Sequence, residues 1–200
     1  MSNLYSYFIV YKPYGMLSQF TPEGNKPALS SLLKFPLDCY PVGKLETECE
    51  GLLLLTNDKK ISQKFLNPTV EFKRTYYVQV DGAINEEAIT RLAMGVDVKV
   101  EGKIFNSKNA IVSKIDEPSL PPRVPPVRFR KTVPTSWINI TLVEQKNKQV
   151  RQMMGAVGFP ALRIVRIKMG NLELPEMLSG DVIEMKSAEV YEKLFYSVIP

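Results

Sequence analysis

The segment that most restricts the fold is Gly51-Leu52-Leu53-Leu54-Leu55-Thr56, an unbroken apolar run bounded by turn-forming residues. A strand with one wet face alternates apolar and polar residues, so a short run without alternation predicts a strand covered on both faces. Other strand patterns surround it: Tyr7 to Tyr11, stopped by Lys12-Pro13-Tyr14-Gly15, then Tyr76 to Val80, Trp137 to Val143, Leu162 to Ile167 and Val182 to Met185. Val96 to Phe105 and Asn109 to Ile115 read as a strand pair. Helices are predicted over residues 28–34, from an N-cap at Asp58 through Phe65, from Ile84 to Met94 with Gly95 as the stop, from Asn147 to Ala156, and from Glu189 to Leu194. Strands outnumber helices and the two do not alternate strictly. That pattern predicts an α+β fold with a mixed sheet in preference to a doubly wound one. The stretch Pro118 to Pro134, in which prolines interleave with arginines, reads as an extended loop because a strand pattern resumes directly after it.

With 200 residues the chain fits one domain, or one domain of two lobes. It contains no histidine, which removes Ser–His and Cys–His nucleophile pairs and the usual imidazole-bearing zinc sets. Any chemistry therefore rests on carboxylates, tyrosine, lysine and arginine. Cys39 and Cys49 make neither a disulfide framework nor a CxxC metal pair. No stretch approaches the roughly 20 apolar residues that span a bilayer, and the opening residues lack a signal-peptide pattern, so a cytoplasmic protein is expected.

Charge is unevenly placed. Between Ser119 and Leu172 lie Arg123, Arg128, Arg130, Lys131, Lys146, Lys148, Arg151, Arg163, Arg166 and Lys168 against the single acid Glu144. The formal net charge is +5, so the remainder of the chain is mildly acidic. Such asymmetry is the footprint of a polyanionic partner, most often nucleic acid, or else of a solvated basic face.

Three constellations are able to carry chemistry. Gly43-Lys44-Leu45-Glu46-Thr47-Glu48-Cys49-Glu50-Gly51 is a glycine-bounded loop with three alternating carboxylates beside the apolar strand. It offers a nucleophile or a general acid and base, or is a solvated acidic turn. In Asn147 to Val157, residues Val150, Met153, Met154 and Val157 make one apolar helix face. Lys148, Arg151 and Gln152 lie off that face, where they meet phosphate or a carboxylate, or simply solvent. In Arg74-Thr75-Tyr76-Tyr77 the adjacent tyrosines point to opposite faces of a strand, so one is core and the other lines a cleft, or, as is commoner, both pack in the core.

Taken in order, these segments resemble the RsuA family of ribosomal pseudouridine synthases, and most closely its E-type members, which act on the large ribosomal particle. Tyr11 to Gly24 (YKPYGMLSQFTPEG) is similar to the family's opening motif, and Tyr40 to Asp58 (YPVGKLETECEGLLLLTND) to its catalytic block. Arg74 to Gly82 (RTYYVQVDG) and Asn147 to Gly170 (NKQVRQMMGAVGFPALRIVRIKMG) resemble its later motifs, and Pro125 to Trp137 resembles the E-type loop. The resemblance covers nearly the whole chain.

It implies a mixed, largely antiparallel sheet with flanking helices and a central catalytic cleft, and a single catalytic domain over residues 1–200. The first strand opens by Tyr7, leaving no room before it for the S4-type RNA-binding domain that some relatives carry. It further implies conversion of a uridine from an N-glycosidic to a C-glycosidic linkage in ribosomal RNA, 23S or a large-subunit assembly intermediate, by a monomer and without cofactor. Glu46 falls where the family has its nucleophilic aspartate, Lys44 where it has arginine, and Cys49 where it has serine. Tyr76 matches the tyrosine that stacks on the target base, and Arg151 the basic partner of the catalytic carboxylate. Lys12, Lys44, Arg74, Arg128, Arg130, Lys131, Lys148 and Arg163 are the residues expected to bind RNA. The glutamate lengthens the catalytic arm by one methylene, which leaves a second expectation open: a catalytically silent RNA-binding or ribosome-assembly protein of the same fold. A carboxylate-pair glycosidase is disfavoured by the basic half.

Overall fold

The computed structural model describes residues 5–67, 71–100, 102–128, 132–144, 146 and 148–195. In chain order these form β1 (Tyr7–Lys12), a 3-10 turn (Leu29–Ser31), β2 (Tyr40–Val42), β3 (Glu50–Thr56), α1 (Lys59–Leu66), β4 (Arg74–Asp81) and α2 (Glu86–Met94). They continue with β5 (Asp97–Val100), β6 (Lys103–Asn106), β7 (Ile111–Ile115), β8 (Thr135–Leu142), α3 (Gln149–Ala156), β9 (Ala161–Met169), β10 (Leu172–Glu173), β11 (Val182–Glu184) and α4 (Ser187–Phe195). Two compact units result. Met1–Phe72, Pro121–Val124 and Arg166–Pro200 make the first, and Lys73–Leu120 with Pro125–Val165 the second.

In the first unit the strand order is β11-β1-β3-β9, with β2 also on β3 and β10 on β9. β1 and β3 run antiparallel from Tyr7↔Thr56 to Lys12↔Gly51. Every residue of β3 is buried, as the unalternating run predicts. α1 starts where Asp58 accepts from the Lys60 N–H at 3.0 Å, an N-cap readable from the sequence. Phe65 of α1 and Phe72 meet with ring centroids 4.7 Å apart and close one end of this core.

In the second unit the order is β9-β4-β8-β7. β4 and β8 pair over their full length, from Arg74↔Leu142 to Asp81↔Thr135. Val78, Val80, Ile138 and Ile140 form the core face together with Met153 and Met154 of α3. All four positions of the apolar stripe read for α3 are buried. α2 is capped by Asn85, which accepts from Ala88 N–H, and stops at Gly95. Only glycine serves there, because φ is +94° and a Cβ would stand 2.3 Å from the Ser107 carbonyl oxygen.

Two expectations are corrected. Residues 28–34 form one 3-10 turn instead of a helix: Leu29 N–H is tied to the Gln19 carbonyl, and the N-cap Ala28 has no side chain with which to cap. Residues 96–105 and 109–115 do not pair with each other. The first folds on itself as the β5–β6 hairpin around Gly102, and the second pairs with β8 from Ile111↔Thr141 to Ile115↔Trp137. Two amphipathic runs in succession do not reveal which partner each finds.

Candidate active-site loop

The loop between β2 and β3 is held through its backbone groups. Gly43 adopts φ +62°, and a Cβ there would fall 2.4 Å from the Phe65 ring, so glycine is required for the loop to leave β2. The Gly43 carbonyl accepts from Arg166 Nη2 at 2.7 Å, and Arg166 Nε donates to the Leu52 carbonyl at 2.8 Å. One fully buried guanidinium therefore brackets the loop at both ends. Leu45 exchanges two hydrogen bonds with the Ser18 hydroxyl. The Glu46 carbonyl accepts from Cys49 N–H at 3.0 Å, and the Thr47 carbonyl from Gly15 N–H at 2.8 Å.

Lys12 completes the frame. It is wholly buried, and its Nζ donates to the carbonyls of Pro13 and Met16 at 2.8 Å and of Thr47 at 3.3 Å. Burial is the largest influence on it and pulls its pKa from 10.5 down to about 8; Cys49, Glu50 and Glu46 oppose that pull and Arg166 adds to it. The opening motif and the acidic loop are thus one construction, in which the first supplies donors to the carbonyls of the second. Glu46 lies half-buried on this frame, and Lys44 and Glu48 are exposed beside it.

The second unit holds the remaining candidates. Tyr76 is buried on the β4 face that also carries Arg74, Val78 and Val80, while Tyr77 on the opposite face is half-buried. The tyrosine matched to the family motif is therefore the more covered of the two. Arg151, half-buried in the first turn of α3, donates from Nη1 to the Ala161 carbonyl at 3.3 Å. Lys148 is exposed at the N-cap of α3 in the left-handed conformation, φ 53°, the one positive φ at a non-glycine among the described residues. Arg128 is exposed, and Arg130 and Lys131 lie outside the described residues.

Three of the residues expected to bind RNA lie buried in this structure. Lys12 has no solvent-facing surface and its Nζ donates to three backbone carbonyls, so here it serves to build the loop. Arg74 and Arg163 are also buried, at 6% and 8% exposed, and are not part of an open basic surface. Conversely, Ser18 and Arg166 emerge as loop-holding residues that sequence reading passes over. Ser18 lies inside the opening motif without any chemical signal of its own, and Arg166 counts in the sequence only as charge. Among the described residues no group of three or more Cys, Asp or Glu is placed to hold a metal ion, and no helix is long and apolar enough to cross a membrane.

A sequence profile described as RNA pseudouridylate synthase matches residues 6–156, a span that includes the Glu46 loop, Tyr76 and Arg151. The chain belongs to the RNA pseudouridylate synthase family. Among curated members of this family, it is 41% identical over 175 residues to the ribosomal large subunit pseudouridine synthase E of Vibrio parahaemolyticus, covering 88% of this chain and 71% of that one. The protein of the same name from Xanthomonas axonopodis pv. citri is 42% identical over 166 residues, 82% of this chain and 85% of its own. The ribosomal large subunit pseudouridine synthase B of Bacillus subtilis is 31% identical over 185 residues, 92% of this chain and 69% of its own. A crystal structure of a pseudouridylate synthase superposes with TM-score 0.76 at 24% identity, covering 94% of this chain and 73% of that one. The pseudouridylate synthase fold, a mixed and mostly antiparallel sheet with flanking helices, is the fold of this chain.

Proposed function

We propose that this protein isomerises a uridine of large-subunit ribosomal RNA to pseudouridine, with Glu46, Tyr76 and Arg151 as its catalytic residues. In the reaction the N1–C1′ bond of the uridine breaks and a C5–C1′ bond forms. C5 gives up its proton and N1 gains one, so no co-reactant is needed. A carboxylate able to form a transient covalent bond divides this into two easier steps. The observation that carries the reading is the loop at residues 43–52, whose backbone is held by Lys12, Gly15, Ser18 and Arg166 while the Glu46 side chain is left half-exposed. A carboxylate carried on a rigid backbone, with its Oε2 buried and the residue only partly covered, is what a preorganised nucleophile requires. The relatives named above for large-subunit synthases support the substrate class. The proposed partner is 23S ribosomal RNA or an assembly intermediate containing it, the proposed state a monomer, and the place of action the cytoplasm.

A second reading rests on Glu46 itself: its extra methylene displaces the carboxylate by about 1 Å, which costs on the order of 100-fold in rate where the pocket is built for the shorter arm. The chain would then bind ribosomal RNA without modifying it. Pseudouridine mapping of ribosomal RNA from cells lacking the protein separates the two. Loss of a site that returns with the wild-type chain and stays absent with Glu46→Gln establishes the enzyme. An unchanged map points to the silent binder.

A further inference from the structure

The residue preceding Glu46 is gripped at both of its backbone polar groups by one side chain. Ser18 Oγ accepts from the Leu45 N–H at 3.1 Å and donates to the Leu45 carbonyl at 2.8 Å. A serine hydroxyl has one proton to give and lone pairs to receive, and here both functions go to the same residue. Ser18 is buried, and so is the Leu45 side chain. Holding the N–H and the carbonyl of one residue fixes the peptide planes on either side of it, and the second of these is the Leu45–Glu46 peptide. On the far side the Glu46 carbonyl is held by Cys49 N–H. The direction in which the Glu46 side chain leaves the backbone is then determined.

The grip is itself anchored. Leu17 N–H donates to the Pro27 carbonyl at 2.9 Å and the Gln19 carbonyl accepts from Leu29 N–H at 2.9 Å, so both neighbours of Ser18 are tied to residues 27–29. Leu17 also makes a parallel bridge with Ala28. A long-range bond, 27 residues in sequence, is thus fixed at its donor end by a second set of backbone bonds.

We infer that Ser18 is a positioning residue for the reaction assigned to Glu46, an inference that rests on that assignment. Ser18 does not touch the reacting atoms; it sets the origin and direction of the arm that does. The role has particular force here because a glutamate adds a rotatable bond beyond the backbone, and the carboxylate tolerates about 0.5 Å of error.

The test is steady-state kinetics on a ribosomal RNA substrate for wild type, Ser18→Ala and Ser18→Cys, at a temperature where circular dichroism shows each fully folded. Ser18→Ala is expected to lower kcat by roughly 10- to 100-fold with KM unchanged within about twofold. Ser18→Cys, which keeps the shape but gives weak sulfur hydrogen bonds, is expected to fall between. Amide exchange at Leu45 should rise in both variants while Leu52 to Leu55 keep wild-type protection. A folded Ser18→Ala protein with wild-type kcat overturns the inference and leaves the enzyme standing. A drop in kcat without faster exchange at Leu45 overturns it too. A wild type that modifies no uridine overturns the functional reading instead. If Ser18→Ala does not fold, Ser18→Cys carries the same comparison.

Discussion

As pH rises from about 8 towards 10.5, Lys12 should make the folded chain more stable. Its folded pKa is about 8 and its ordinary value 10.5, so in that window the unfolded chain binds a proton that the folded chain has released. Below the window Lys12 is charged in both states and the cost of burying that charge is fully present. Relief of it contributes on the order of 3 kcal/mol by the upper end. Tyr7, Tyr40 and Tyr191 work in the opposite sense, because burial raises each of them and the stability they confer is lost above their ordinary value of 10. Urea unfolding of wild type and Lys12→Met at stepped pH cancels the tyrosines. The stability difference between the two should grow in favour of wild type with pH; a constant difference refutes the assignment. A lysine in a motif shared with RNA-modifying enzymes reads from sequence as a phosphate ligand. Nothing in the string says that three carbonyls, one of them 35 residues away, accept its hydrogen bonds.

Among the elements, β1, α1 and α4 are tied at a single carboxylate. Asp58 Oδ2 accepts from Tyr7 at 3.0 Å and from Tyr191 at 2.6 Å, and Oδ1 caps α1; Ser187 donates to the Tyr7 oxygen at 3.1 Å. Asp58→Ala should therefore cost far more than a lost cap, about 3 kcal/mol or more, since two tyrosine hydroxyls and an amide lose a charged acceptor. Asp58→Asn keeps the capping oxygen and should lose less than half as much. Denaturant midpoints decide this, and a loss below about 1 kcal/mol for Asp58→Ala would show the network to be idle. The cap was legible from the sequence because it is local. The tyrosines were not, since Tyr191 lies 133 residues further along. The same distinction explains the strands: the longer runs announced their own extended conformation, the short β2 and β10 did not, and the self-paired β5–β6 hairpin and the β7–β8 pairing depend on competition among partners.

At the scale of the whole molecule the charge count made the most direct claim. Lys44, Arg128 and Lys148 are exposed and carry the RNA-facing proposal among the described residues. Replacing all three by alanine should weaken ribosomal RNA binding and reduce the slope of log affinity against log salt by about 2, if each meets one phosphate. An unchanged slope in a filter-binding titration would assign the basic excess to another purpose. Part of that excess differs in kind from what a count suggests: Arg163 and Arg166 within it are buried, as are Lys12 and Arg74 earlier in the chain, and composition counts a buried cation and a wet one alike. The fold class and the acidic loop were legible because patterning and motif order are properties of the string; the loop's supports were not, since they come from both ends of the chain. Arg166 reaches back 123 residues to the Gly43 carbonyl and 114 to that of Leu52. On a translating ribosome the loop bearing Glu46 emerges long before this clasp exists, and it stays unclasped until Arg166, more than 110 residues later, has followed. A nascent or truncated chain ending before residue 166 should accordingly bear the carboxylate without the geometry, so that the power to modify RNA arrives only once Arg166 has been added.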